Sequence, residues 1–407
     1  MQTDNIPLCS ELKILVLDDE PFMLRLLGRI LQNLGFSAVA TADNGLTALA
    51  QLDSPTTRPE LILMDINMPH MDGVEFVRHL VERQFAGGLI LVSGEDERVL
   101  QSVEKLVRAH QIAVLGRISK PVTPQHLGAL IDKWSENRAH AARPTRRTYV
   151  AEELDAAITQ GELINHYQPK VSLASGELVG VESLVRWVHP VDGMVFPDQF
   201  ITLAEKSGLI ERLTRTVLHN ALTQASIWHS TGLPLRVAVN LSMDNLKVLN
   251  FLDYVLNLTG LAGVAPQNIV LEITESSLMQ DQRVPLEILT RLRLHHFCLS
   301  IDDFGTGNSS LSQLRDIPFD ELKIDQSFVH GACSNETQRA MFDASLGLAK
   351  QLKMESVAEG VEDRADWNFV RERGCDVAQG YFIGKPMSPE AFPAWQADWE
   401  SRRSLLL

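Results

Sequence analysis

Short apolar runs alternate with amphipathic stretches along most of the chain, and together they predict strands and helices in turn. Leu12 to Leu17 reads as a strand. Pro21 to Leu34 reads as a helix whose apolar positions are Phe22, Leu26, Leu27, Ile30 and Leu34. Leu61 to Met64 and Leu89 to Val92 read as further buried strands. This alternation, from Leu12 to Trp134, predicts a doubly wound α/β domain. Between Ser135 and Thr148 the pattern breaks, and Arg138, Arg143, Arg146 and Arg147 stand with Pro144 among small residues, as in a solvated linker. The expected division is 10–134, a linker over 135–148, and a second domain over 149–400.

In the second domain each apolar run ends in a polar residue. His166-Tyr167 reaches Gln168, Val179 to Val181 reaches Glu182, and Val237 to Val239 reaches Asn240. Ile269 to Leu271 reaches Glu272, Leu299 to Ile301 reaches Asp302-Asp303, and Leu322 and Ile324 precede Lys323 and Asp325. Ser356 to Ala358 reaches Glu359, and Val377-Ala378 reaches Gln379-Gly380. Eight such strands joined by helices close into a TIM-like (β/α)8 barrel of about 250 residues, with its active site where the strands end. Asp316, Asp320 and Glu321 read as ordinary solvated loop charges.

Composition narrows the chemistry. The 407 residues carry a formal net charge of -15, which argues against a nucleic-acid-binding face. Cys9, Cys298, Cys333 and Cys375 lie far apart, without the spacing of a disulfide framework or zinc site. Neither a signal peptide nor the roughly 20 apolar residues of a membrane helix is read. The expectation is a soluble, cytoplasmic protein with no membrane or nucleic-acid partner.

Three strand ends of the first domain carry polar groups: Asp18-Asp19, Asp65, and Lys120-Pro121, with Ser93 after a fourth. The carboxyl ends of parallel strands converge on one crevice. Asp18, Asp19 and Asp65 would there hold one Mg²⁺, with Asp65 the nucleophile for a phosphoryl group. Lys120 would neutralise the transferred charge, and Ser93 would hydrogen-bond its oxygens. Taken singly, each Asp reads equally well as a helix cap. The segments LVLDDEP, LMDINMPHMDG, LVSGE and ISKP resemble the receiver domain of response regulators, which implies a flavodoxin-like fold and phosphorylation of Asp65 by a sensor histidine kinase. Receivers place Tyr or Phe three residues before the Lys; here that residue is Arg117.

The barrel mouth gathers hard oxygen ligands suited to Mg²⁺ or Mn²⁺. The adjacent Asp302-Asp303 pair suits two cations about 3.5–4 Å apart, the spacing of in-line phosphoryl displacement. Lys323 would orient a water, take its proton or stabilise a departing oxygen, and Glu359 would ligate a metal or hold that water.

The run ESLVRW at 182–187, then FPDQFITLAEKSGLI, AVNLS, LEITES, IDDFGTGNSSL, ELKIDQSFV, VAEGVE and AQGYFIGKP, is similar to EAL-domain cyclic di-GMP phosphodiesterases. The resemblance implies hydrolysis of cyclic di-GMP to linear pGpG. It implies first-metal ligands at Glu182, Asn240, Glu272 and Asp302, a second-metal ligand at Asp303, and Lys323 and Glu359 around the nucleophilic water. It also implies substrate contacts at Gln168, Arg186, Asp325 and Gln379, a loop anchor at Glu275, and a homodimer or larger assembly. Ser183 stands where the family has Ala, a small-for-small change expected to be tolerated, and Asn308 where Tyr is common. The competing reading is a non-catalytic cyclic di-GMP receptor or scaffold controlled by the first domain.

Overall fold

The computed structural model describes residues 12–54, 56–94, 97–110, 112–141, 147–248, 250–275, 283–305 and 317–406. The chain divides between Arg147 and Thr148 into two compact units.

The first unit carries strands β1 (Ile14–Leu17), β2 (Val39–Ala42), β3 (Leu61–Asp65), β4 (Gly88–Ser93) and β5 (Ala113–Ser119). They form one sheet in the order β2-β1-β3-β4-β5, every pair parallel. All residues of β1, β3 and β4 are buried. That fits their continuous apolar runs, because helices cover both faces of such a sheet. Two hydrophobic clusters lie on opposite sides of it. One takes Leu15, Leu17, Ile62 and Met64, and the other takes the alternate Ile14, Val16, Leu61 and Leu63. The helix Pro21–Asn33 turns Met23, Leu27, Ile30 and Leu31 inward and leaves Phe22 exposed.

The second unit carries β6 (Leu163–Ser172), β7 (Leu178–His189), β8 (Gly193–Val195), β9 (Arg236–Asn240), β10 (Ile269–Thr274), β11 (Cys298–Phe304), β12 (Glu321–Ile324), β13 (Glu355–Ala358) and β14 (Val377–Gln379). Their order runs from β6 through β14, β13, β12, β11, β10 and β9 to β7, with β8 outside, and a further β6–β7 pairing closes the ring. The expected barrel is therefore present, with one refinement. β6 runs antiparallel to both of its neighbours. Only the turn around Ala174-Ser175-Gly176 joins β6 to β7, and a parallel pair needs a crossover of a dozen or more residues.

Alternation along the strands sorts the side chains. Val237, Val239, Leu271, Ile273, Leu299, Ile301, Leu322, Ile324 and Ala358 belong to the apolar cluster packed beneath the helices. The positions between them, Asn240, Glu272, Ser300, Asp302, Glu321 and Lys323, fall on the other face and line the barrel interior.

Candidate active site

In the first unit the ends of β1, β3 and β5 bring Asp18, Asp65 and Lys120 together. Lys120 Nζ lies 2.7 Å from Asp65 Oδ2 and 3.0 Å from Asp18 Oδ2. Asp18, Asp19 and Asp65 each offer an oxygen within 4.8 Å of one another. Burial raises the Asp18 carboxyl above its ordinary range, partly opposed by the Glu20 backbone N–H and by Lys120. Ser93 is fully buried at the end of β4, and its carbonyl accepts the Lys120 backbone N–H at 3.0 Å. Arg117, on β5, puts Nε 3.0 Å from Glu104 Oε2 on the helix Glu97–Ala109.

At the barrel mouth, Lys323 is the hub. Its side chain is 1% exposed, and Nζ stands 2.7 Å from Glu359, 2.9 Å from Asp302, 3.2 Å from Glu272 and 3.6 Å from Glu182. Glu182 is held from both sides: Asn240 Nδ2 donates to its Oε1 at 2.8 Å, and Gln379 Nε2 to its Oε2 at 2.6 Å. Gln379 also donates to Gln168 Oε1 at 3.0 Å, so the ends of the ring are laced across the β6–β14 seam. Asp303 has φ of 55°, a left-handed backbone that a non-glycine residue adopts at a cost of about 1–3 kcal/mol. Glu275 Oε2 accepts the Gly305 backbone N–H at 2.7 Å, tying the end of β11 to the loop after β10.

The charges are strongly unequal. Burial, then the neighbouring Glu182, pushes Glu272 up to about 8. Burial and Asp302 push Asp303 up to about 6. Glu359 is raised well above the carboxylate range by burial, with Lys323 opposing. Glu182 goes the other way. Against the pull of burial, Lys323 and Lys170 hold it at about 2. Lys323 remains an ammonium ion, because Asp302, Glu182, Glu272 and Glu359 outweigh its desolvation. Carboxylates crowded to this degree bind protons or cations. Two groups of three offer oxygens within 4.8 Å of one another: Glu182, Glu272 and Asp302; and Asp302, Asp303 and Glu359. An all-oxygen donor set of this kind fits a hard divalent cation.

A cleft of about 270 Å³ opens beside this cluster, lined by Gln168, Glu182, Asp303, Asp325, Glu359 and Gln379 among others. Asn240 lines a neighbouring, more apolar cavity. Arg186 is buried, with its guanidinium 5.3 Å from the Phe196 ring centre. Asp325 Oδ1 is engaged by the Ser327 backbone N–H. Gln326, Glu362 and Tyr381 also line the cleft and escaped the sequence reading, because none of them ends an apolar run.

Two of the charges read as loop residues are not solvated loop charges. Glu321 is 3% exposed inside β12, in contact with Lys170. Asp320 is ion-paired to Arg293 at 2.6 Å and accepts the Leu299 backbone N–H. Both lie where the chain enters the barrel, so the strand begins earlier than its apolar residues suggest. Asp316 and Asn308 lie outside the described residues.

Comparison with known proteins agrees with this architecture. The family described as EAL domain matches residues 151–386, and the response regulator receiver domain matches residues 14–132. The cyclic di-GMP phosphodiesterase RocR of Pseudomonas aeruginosa is 30% identical over 385 residues, covering 94% of this chain and 98% of that protein. An uncharacterized signaling protein of Caulobacter vibrioides is 43% identical over 252 residues, which is 61% of this chain and only 30% of that protein. The solved structure of the PaMucR phosphodiesterase in its c-di-GMP complex superposes with a TM-score of 0.57 at 39% identity, covering 59% of this chain and 98% of that one. The chain belongs to the EAL domain family and carries a response regulator receiver domain ahead of its EAL barrel.

Proposed function

We propose that the barrel hydrolyses cyclic di-GMP to linear pGpG with two divalent cations, Mg²⁺ or Mn²⁺, and that the receiver domain controls it through phosphorylation of Asp65. The observation that carries this reading is the cluster around Lys323. Glu182, Glu272, Asp302 and Glu359 all lie within 3.6 Å of the single Lys323 ammonium, and Asp303 stands beside Asp302 and Glu359. Carboxylates so crowded around one ammonium call for added cations. Glu182, Asn240, Glu272 and Asp302 would hold the first cation, and Asp303 with Glu359 the second. When bound, such cations lower the pKa of a water and neutralise charge building on the phosphate.

The protein's own groups divide the remaining work. Glu359 lies on the cleft wall 2.7 Å from Lys323, a place that suits a group that ligates a cation or holds the attacking water. Lys323, in contact with Glu359 and Asp302, is placed to orient that water, take its proton or stabilise the departing ribose oxygen. The water oxygen bonds to phosphorus and gives up a proton, the bond to the 3′ oxygen breaks, and that oxygen takes up a proton in turn, so the net change is the addition of one water. Gln168, Arg186, Asp325 and Gln379 would hold the nucleotide, and Glu275 would anchor the loop after Gly305.

In the receiver, Asp18, Asp19 and Asp65 would hold one Mg²⁺ while Asp65 takes a phosphoryl group from a sensor histidine kinase. Lys120 lies 2.7 Å from Asp65, placed to neutralise that group, with Ser93 beside it. The resemblance also extends the proposal to a homodimer or larger assembly. Among the described residues no helix is long and apolar enough to cross a membrane. Incubation of the purified chain with cyclic di-GMP and Mg²⁺ or Mn²⁺, followed by nucleotide chromatography, is expected to show pGpG. Tight binding with intact substrate would identify a receptor and overturn the enzymatic reading.

A further inference from the structure

Beneath the cluster lies a second polar layer that the proposed reaction does not use. Lys170 on β6 stands two residues beyond Gln168, and Ser300 and Glu321 stand two residues before Asp302 and Lys323. Alternation therefore places all three on the inner face, one layer further from the mouth. Lys170 is 4% exposed, with Nζ 2.7 Å from Glu272 Oε1 and 3.3 Å from Glu321 Oε1. Ser300 Oγ donates to the same Glu321 oxygen at 2.8 Å. Glu272 is wholly buried, and its two oxygens have different partners. Oε1 faces Lys170 below, while Oε2 faces Lys323 and the metal-ligand cluster at 3.2 Å.

Stability does not explain this pair. Burying two opposite charges costs several kcal/mol of desolvation per ion, and replacing such a pair by apolar side chains is often neutral or stabilising. Nor does the pair add net charge to the site, since Lys170 and Glu321 cancel. What it provides is a fixed hydrogen-bond donor on one oxygen of one carboxylate.

We propose that Lys170, braced by Glu321 and Ser300, is a positioning residue that commits Glu272 to ligate a cation through Oε2 alone. The proposal rests on the metal-binding reading above. A carboxylate tied in this way cannot rotate to offer both oxygens. One-oxygen ligation suits the compact six-coordinate shell of Mg²⁺ or Mn²⁺, whereas Ca²⁺ takes more oxygens and accepts two from one carboxylate. Lys170 thus sets both affinity and selectivity at the first cation position.

The test uses the full-length double variant Lys170→Met with Glu321→Gln, which removes the tether and leaves the net charge unchanged. Mn²⁺ binding is measured by calorimetry without nucleotide. Loss of a partner that orients a metal ligand lowers affinity about 10–100-fold. A drop of that size is expected, together with a rise in Ca²⁺ affinity relative to Mn²⁺. The thermal midpoint in chelator should fall, because Glu272 loses its counter-charge at 2.7 Å, so binding is compared at a temperature where both proteins are folded. A folded double variant that binds Mn²⁺ as wild type does, with unchanged Ca²⁺ preference, overturns the proposal. A wild-type crystal soaked in Mn²⁺ decides the matter independently of whether the variant folds. Glu272 Oε1 on Lys170 with only Oε2 on the ion supports the proposal, and both oxygens on the ion overturn it. Wild-type protein that binds no Mn²⁺ removes the metal reading itself, an outcome distinct from unaltered binding by the variant.

Discussion

One lysine side chain organises the proposed site. With four carboxylates within 3.6 Å of Lys323 Nζ, the ammonium is the local counter-charge of the cluster, and removing it leaves those carboxylates to repel one another. Breaking a buried ion network by deleting one partner costs about 3–5 kcal/mol. Lys323→Met is therefore expected to lower the thermal midpoint in chelator, and added Mn²⁺ should recover much of that loss. Turnover should not recover with it. A donor aimed at charge developing in the transition state contributes about 10²–10³ in rate. Metal-restored stability accompanied by metal-restored activity would show that Lys323 is only a counter-ion. Most of this cluster was legible, because strand-terminal acids announce themselves after apolar runs. Lys170 and Glu321 were not. Lys170 sits mid-strand in β6, and Glu321 follows Asp320 at a strand start, where composition alone reads as loop. The exchange of Ala for Ser183 is explained by its neighbour, since Asn165 Nδ2 donates to the buried Ser183 hydroxyl at 2.8 Å.

Between elements, the segments that follow β12 and β13 must keep Asp325 and Glu359 at a set separation, and two features do so. Gly360, at φ of +65°, passes so close to Gln326 that a Cβ would meet the Gln326 Cβ at 2.3 Å. Farther along, Asp366 in the helix Arg364–Glu372 is 1% exposed and accepts three hydrogen bonds. They come from the Gly331 backbone at 3.0 Å, the Glu362 backbone at 3.1 Å and His330 Nδ1 at 2.8 Å. Asp366→Ala strands two backbone donors at about 1–3 kcal/mol for each one left unsatisfied. It should raise KM for cyclic di-GMP more than it lowers kcat, because the substrate contact proposed for Asp325 would loosen. The same clasp gives a pH dependence. The hydrogen bond to Asp366, then the charges of Glu362 and Asp363, raise the His330 pKa above 6.5. The folded protein thus holds this proton more tightly than the unfolded chain does. Stability from the ion pair is complete below about pH 6.5 and is lost as pH rises through the folded value. Thermal midpoints of wild type and His330→Asn should differ most near pH 6 and converge in alkaline buffer; a constant gap would show that the imidazole acts through packing alone. These clasps were invisible in the sequence because they join residues of different connections. The antiparallel β6 was legible in principle, since no helix fits into Ala174-Ser175-Gly176.

At the scale of the whole chain, the proposed phosphorylation of Asp65 would need a readout in a receiver that has Arg117 where the resemblance leads one to expect an aromatic residue. The side chain of Arg117 reaches Glu104, whose other oxygen is 2.8 Å from Arg108 Nη2, so β5 and the helix after β4 share one ionic clasp. β4 also ends in Ser93, the hydroxyl expected to engage the phosphoryl oxygens. On this proposal, a pull on Ser93 would be transmitted along the chain toward the helix that Arg117 grips. Acetyl phosphate should change cyclic di-GMP turnover of the wild-type chain by about 5-fold or more, the lower end of typical allosteric coupling. Asp65→Asn should abolish the response. Arg117→Ala should shrink it while leaving the unphosphorylated rate unchanged, because the ionic partner of Arg117, Glu104, lies within the receiver unit itself. The clasp is only partly buried, so added salt should weaken the wild-type response toward that of Arg117→Ala. A full response in Arg117→Ala, insensitive to salt, would place the readout elsewhere on the receiver surface, and an equal rate with and without phosphodonor in the wild type would remove phosphorylation from the account of this enzyme.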